Sequence, residues 1–275
     1  MKQRINLLAL LCHWYQLVVD DERMKKRNIL ISNDDGIHSF GIRVLAEALA
    51  SLAKVTVVAP DREQSACSHS LTLRNPLRVE KLEEGFYAVD GTPTDCINLA
   101  VNAIMKDNPP DLVVSGINKG GNLGDDVTYS GTVAAAFEGT LLGIPSMAVS
   151  LVIGREHHFE TAARVAVEIT EKIFQQGMPE DTLFNVNVPD CTWDSLPGYR
   201  IAAQGKRIYS DAITENKDPR GQKYYWIGGD TLGGVEIEDS DFQVVQQGYV
   251  SLTPLHLDLT NYRVMESIRC WEWSR

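Results

Sequence analysis

Apolar residues in this chain fall into two kinds of run, and the two alternate. Short unbroken runs at Ile29–Ile31, Val55–Ala59, Leu112–Val114, Ser146–Val152 and Leu183–Val188 suit strands buried on both faces of a parallel sheet. Between them, apolar positions recur at spacings of three and four. Ile42, Leu45, Ala46, Leu49 and Leu52 predict a helix over residues 40–53, Ile97, Ala100, Val101 and Ile104 a second, and Val133, Ala136 and Phe137 a third; residues 159–174 predict a fourth. Thr92-Pro93-Thr94-Asp95 is a strong start for the second helix, with Thr92 as N-cap, Pro93 in the first turn and Asp95 closing a capping box. Short strands at Leu77–Val79 and Phe86–Val89 flank a Glu83-Glu84-Gly85 turn. Strand and helix in alternation from 29 to 189 predict an α/β fold with a doubly wound, mostly parallel sheet.

From residue 190 the texture changes. Strands are expected at 200–204, 224–227 and 249–253, a Gly-rich acidic stretch covers 228–241, and a closing helix is expected over 263–273. The chain thus divides into an N-terminal segment 1–26, an α/β core 27–190 and a β-rich C-terminal extension 191–275, read as an oligomerisation region.

Composition narrows the function. A formal charge of −11 argues against binding of nucleic-acid polymers, which requires a basic footprint. Five widely spaced cysteines without a C-x-x-C pair fit reduced thiols and not a zinc site. The apolar residues of the first 26 positions are interrupted at His13 to Gln16, which leaves them short of the roughly 20 residues of a membrane span and without a signal-peptide core. A cytoplasmic protein with no membrane association is expected. Met24 is expected as the natural start and residues 1–23 as dispensable.

The chemistry gathers where strands end. The first strand runs into Asn33-Asp34-Asp35-Gly36, and two adjacent carboxylates at a strand's C-terminal end suit a hard cation such as Mg²⁺, Mn²⁺ or Ca²⁺, although a solvated turn explains them equally well alone. The loop after the second strand, residues 61–70, is rich in hydroxyls and contains Ser65 and His69. The strand from Leu112 ends at Gly116-Ile117-Asn118 and a Gly-rich loop containing Asn122; Ser130-Gly131-Thr132 then opens a helix whose first N–H groups make an anion seat. N-capping and turn formation account for each loop singly. An all-oxygen cation site beside a phosphate-binding helix start accounts for all four together. A nicotinamide or flavin enzyme is disfavoured, because Asp34 and Asp35 occupy the turn where a pyrophosphate needs a G-x-G-x-x-G cradle. A phosphoacceptor signalling domain would need an aspartate where Asn118 stands. A non-enzymatic metal-binding scaffold stays open.

Across Ser32-Asn33-Asp34-Asp35-Gly36, Ala59-Pro60-Asp61-Arg62, Gly91-Thr92-Pro93-Thr94-Asp95-Cys96, Ser115-Gly116-Ile117-Asn118, Gly121 to Asp126, Tyr129 to Ala136, Asp218-Pro219-Arg220-Gly221 and Gly248 to Leu255, the sequence resembles the SurE family. These stationary-phase survival proteins are metal-dependent 5′/3′-nucleotidases. The resemblance spans the chain from about residue 27 nearly to its end. It implies a Rossmann-like fold whose C-terminal extension exchanges between subunits in homodimers or homotetramers. It implies one divalent cation per subunit, Mg²⁺ or Mn²⁺ with Ca²⁺ as an alternative, held by Asp34, Asp35, Ser65 and Asn118. The implied activity is hydrolysis of nucleoside 5′- and 3′-monophosphates, with short polyphosphate as a further substrate, by direct attack of metal-activated water. Asn122, Ser130, Gly131 and Thr132 are the expected phosphate-binding residues, and His69 is the candidate for protonating the leaving ribose oxygen. Ala66-Cys67 and Ser39-Phe40 depart from the family pattern, in positions that bear on loop flexibility and substrate preference.

Overall fold

The computed structural model describes residues 27–208, 213–227, 233–271 and 273. The N-terminal segment expected to be dispensable lies outside the described residues. Strands follow in the order β1 (Asn28–Ser32), β2 (Lys54–Pro60), β3 (Val79–Glu83), β4 (Phe86–Val89), β5 (Leu112–Lys119), β6 (Ser146–Val152), β7 (Thr182–Pro189), β8 (Tyr199–Ile201), β9 (Arg207–Ile208), β10 (Ile213–Lys217), β11 (Lys223–Ile227), β12 (Gly233–Gly234) and β13 (Val250–His256). Helices α1 (Phe40–Leu49), α2 (Pro93–Leu99), α3 (Gly131–Leu141) and α4 (Phe159–Gln176) lie among the first seven strands, and α5 (Asp241–Gln246) and α6 (Tyr262–Arg269) follow later. The expected α/β sheet is present, with the spatial order β3-β4-β2-β1-β5-β6-β7-β13-β8. Neighbours from β4 through β7 are parallel; β3 and β13 run antiparallel to β4 and β7.

Side-chain alternation builds the layers. In β1, Ile29 and Ile31 join one buried cluster while Leu30 joins another, as a strand covered on both faces requires. Ile42, Leu45 and Leu49 of α1 pack with Ala162, Val165, Ala166 and Ile169 of α4 over the Ile29 face. Cys96 and Ile97 of α2 and Ala135 of α3 cover Leu30 and Val113 on the other. The capping box at Thr92 and Asp95 is formed, so local sequence set that helix start. In contrast, α3 is buried nearly all round, including Ala134, Ala135, Ala136, Gly139 and Thr140. Its small residues let it lie close to the sheet: a Cβ on Gly139 would meet Ser146 Oγ at 2.4 Å.

The sheet continues past residue 190, because β13 inserts between β7 and β8. The C-terminal part therefore supplies two strands of the main sheet as well as a separate β10–β11 hairpin. Among the described residues, no helix is long and apolar enough to cross a membrane.

Candidate functional site

From β1 the chain moves outward through β2 to β4 and then returns to β5 on the other side of β1. That reversal leaves a crevice at the carboxyl ends of β1 and β5, the place where open α/β sheets bind ligands. Asp34 and Asp35 follow β1 and Asn118 lies near the end of β5, so two of the four sequence-predicted loops meet there by topology alone.

The turn out of β1 is held from within. The Asn33 amide donates to Gly36 O at 3.1 Å and to Ser39 Oγ at 2.7 Å. Gly36 takes φ +91°, and a Cβ there would press on the Arg62 backbone at 3.1 Å. The loop after β2 is tied to the same turn, since Ile37 N donates to Pro60 O at 2.8 Å and Gln64 N to Asp34 O at 2.7 Å.

Helix α3 meets the acid pair directly. Asp34 is buried, and its Oδ1 accepts the Thr132 hydroxyl. A Cβ on Gly131 would lie 2.8 Å from both Asp34 Cβ and Cys67 Sγ, so glycine lets the helix start approach the carboxylate. Asp35 Oδ2 accepts the backbone N–H of Lys119 at 3.0 Å, which ties it to the end of β5. Burial pushes the Asp34 carboxyl above its ordinary range; the Thr132 hydroxyl pulls it back, and the neighbouring charge of Asp35 pushes it up again. Asp35 is likewise raised by burial and by Glu63, against the Lys119 amide. Two carboxylates strained in this way are suited to a positive ligand.

The other oxygen donors fit that role unevenly. Asn118 donates its amide NH₂ to Gly120 O at 2.9 Å, and among the described residues its Oδ1 accepts no hydrogen bond. Ser65 is exposed and donates to Glu63 Oε1 at 2.7 Å, in the loop tied to Asp34. Among the described residues no group of three His, Cys, Asp or Glu is arranged to hold a metal ion, so a cation here would rest on two carboxylates, an amide oxygen and a hydroxyl. Among the described residues, buried oxygens of Ser32, Asn33 and Ser115 also lack hydrogen-bond partners. The donor set is hard and all-oxygen, which fits Mg²⁺, Mn²⁺ or Ca²⁺.

The expected phosphate residues occupy two environments. Ser130, Gly131 and Thr132 form the start of α3, where Ser130 Oγ caps the Val133 N–H at 3.0 Å and Thr132 holds Asp34. Asn122 sits deeper: its amide donates to Ser150 Oγ at 2.7 Å, and its backbone exchanges hydrogen bonds with Asn187. That network fastens the Gly-rich loop to β6 and β7. His69 hydrogen-bonds Glu138 of α3 at 2.8 Å, and Asn98 holds the other Glu138 oxygen at 2.9 Å. Glu138 lies seven residues along α3 from Gly131, so His69 is tied to the body of α3 and not to its first turn.

Sequence reasoning missed a second group of residues. A cleft of about 480 Å³ opens beside Asp35 and is lined by Ser39, Phe40, Gly41, Lys119, His157 and Phe159. Its far wall is a loop pinned by Asp190, whose carboxylate accepts the backbone N–H groups of Gly154, Glu156, His157 and His158 at 2.7–3.0 Å, and His158 Nδ1 at 2.9 Å. Burial works against that charge, but the His158 and His157 donors hold the carboxyl far below the usual range. The available signal was an aspartate directly after β7, at the same edge of the sheet as Asp34.

Fold and site together define a doubly wound α/β protein with an acidic pair at the sheet's topological switch, locked to a helix N-terminus. The model of the family described as Survival protein SurE matches residues 29–211, and the chain belongs to that family. It is 54% identical over 245 residues to the 5′-nucleotidase SurE of Pelobacter propionicus, covering 89% of this chain and 99% of that one. It is 52% identical over 248 residues to the 5′-nucleotidase SurE of Geobacter sulfurreducens, covering 90% of this chain and 94% of that one. The crystal structure of SurE from Aquifex aeolicus shares the fold with a TM-score of 0.80 at 49% identity, over 88% of this chain and 98% of that one.

Proposed function

We propose that this protein is a nucleotidase, hydrolysing nucleoside monophosphates to nucleoside and phosphate with one divalent cation at Asp34 and Asp35. The observation that carries the reading is the acid pair at the end of β1, buried Asp34 engaged by Thr132 of α3 and half-buried Asp35 by the Lys119 amide. Relatives at about half identity over nearly their whole length are 5′-nucleotidases, which supports the substrate class. The reading extends to 3′-monophosphates and short polyphosphate, because the residues assigned to recognition address a terminal phosphoryl group. It also includes assembly into homodimers or homotetramers and a cytoplasmic location.

In this reading Asp34, Asp35, the Asn118 amide oxygen and the Ser65 hydroxyl hold the cation, Ser65 leaving Glu63 to do so. When bound, the cation polarises a phosphoryl oxygen and lowers the pKa of water. Thr132 fixes Asp34 in one orientation, and the N–H groups at the start of α3 stabilise charge on the equatorial oxygens. The leaving ribose oxygen takes its proton from His69, oriented by Glu138. Water attacks phosphorus in line, because both aspartates of the β1 turn are engaged as ligands and serve poorly as nucleophiles.

Assaying a panel of nucleoside 5′- and 3′-monophosphates, ribose 5-phosphate and tripolyphosphate tests the proposal, first in EDTA and then with Mg²⁺, Mn²⁺ or Ca²⁺ restored. Phosphate release should vanish in EDTA and return with at least one cation. Release undiminished by EDTA would remove the cation, and no release from any ester would remove the nucleotidase.

A further inference from the structure

The cleft beside Asp35 has one wall that the phosphoryl chemistry does not use. Phe40 stands at the first position of α1 with its ring 59% exposed, although it lines a cavity of about 480 Å³. Its ring is not free to wander. It meets Phe159 edge to face, at 5.5 Å between centroids and 81° between planes, and Phe159 is itself buried. The backbone beneath is equally constrained, since a Cβ on Gly41 would meet Ile117 O at 2.1 Å. Helix α1 therefore starts directly against β5, one residue before Asn118. Phe40 is in this way an exposed aromatic surface held in fixed register with the acid pair.

A ligand whose phosphoryl group sits at Asp34, Asp35 and the start of α3 can extend into the cleft that Asp35 shares with Phe40. Its size lies within the few hundred Å³ of ordinary small-ligand sites. The charged end of the cleft suits a phosphate, and the far end offers an aromatic plane that only a flat, π-bearing group can use fully. Lys119 and His157, which also line the cleft, supply polar groups between the two ends. The loop bearing His157 is fastened by Asp190 through four backbone N–H groups, so that wall is built and not incidental.

We infer that Phe40 is the stacking platform for the nucleobase, and that it is the residue by which this enzyme prefers nucleotides to phosphate esters without a base. The inference rests on the nucleotidase reading and names the part of that site which holds the nucleoside. Base stacking on an aromatic side chain is worth enough to change affinity by about tenfold or more. Pre-fixing the ring against Phe159 means that little side-chain freedom is lost when the base docks.

Two variants test the inference. In Phe40→Ala, the ratio of kcat/KM for adenosine 5′-monophosphate over ribose 5-phosphate should fall about tenfold or more, chiefly through KM for the nucleotide. An unchanged ratio, whether both esters suffer equally or neither does, overturns the platform. In Phe40→Trp, adenosine titrated in EDTA should quench the introduced indole saturably, relative to the parent protein, whereas ribose should not. No quenching, or equal quenching by both, overturns the inference without reference to turnover. Failure of the parent protein to hydrolyse either ester would instead reject the nucleotidase reading, so the two failures are distinguishable.

Discussion

Asp34 and Asp35 set a conflict that a single substitution can expose. Burial raises both carboxyls, so over the interval between the usual carboxylate range and their raised values the folded chain binds more protons than the unfolded one. The sign follows: cation-free stability falls as pH rises through that interval, and at neutral pH both charges oppose folding. Asp34→Asn removes one charge and keeps an oxygen for the Thr132 hydroxyl. In EDTA at neutral pH its Tm should exceed that of the parent by a few degrees, since each kcal/mol is about 2–4 °C for a chain of this size. Added Mg²⁺ or Mn²⁺ should raise the Tm of the parent by binding the folded state and should leave the variant nearly unmoved. A variant less stable than the parent in EDTA, or one stabilised equally by cation, would contradict both the repulsion and the ligand assignment.

At the scale of elements, the proposed site depends on how closely α3 approaches β1. Gly131 is the contact point, and a Cβ there meets Asp34 and Cys67 at distances that side chains do not accept. Gly131→Ala would favour the helix by about 1 kcal/mol on propensity while driving Asp34 out of place. Small displacements of reacting groups are costly to rate, so kcat should fall by about 10²-fold with helical content intact by circular dichroism. Full activity in that variant would mean the helix start is not part of the site. This contact illustrates what the sequence conveyed. Ser130-Gly131-Thr132 reads as a helix start because capping is local, and the strand–helix alternation brings its loop to the edge where Asp34 lies. That the Thr132 hydroxyl serves Asp34, and that Gly131 is small for the sake of Cys67 and Asp34, depend on pairs separated by tens of residues, which no periodicity encodes. The same limit hid the partners of His69 and the Phe40–Phe159 contact: Glu138 lies 69 residues from its histidine, a separation that no local pattern spans.

For the whole molecule, the C-terminal part falls into two structurally distinct pieces, and the expected extension has to be divided accordingly. Strand β13 buries Ser251, Thr253 and Leu255 on one face and lies between β7 and β8, an insertion invisible locally since its partners are far apart in sequence. Removing everything from residue 223 onward would therefore dismantle the main sheet and would reveal nothing about assembly. The β10–β11 hairpin differs in kind: all ten of its residues are exposed, including Ile213, Tyr225, Trp226 and Ile227. An isolated two-stranded ribbon is marginal in water, and the aromatic residues laid bare on it are the surface that the proposed subunit contact would cover. The informative change is to replace residues 213–227 with a short Gly-Ser linker. The main sheet, the acid pair and the Phe40 cleft receive no strand from this segment, so the product should stay folded, as read by a cooperative thermal transition. Its mass by light scattering should drop from that of a dimer or tetramer to that of the 30.5 kDa chain. An unchanged oligomer would place the subunit contact elsewhere, and a parent chain that is itself monomeric would remove the oligomer from the proposal.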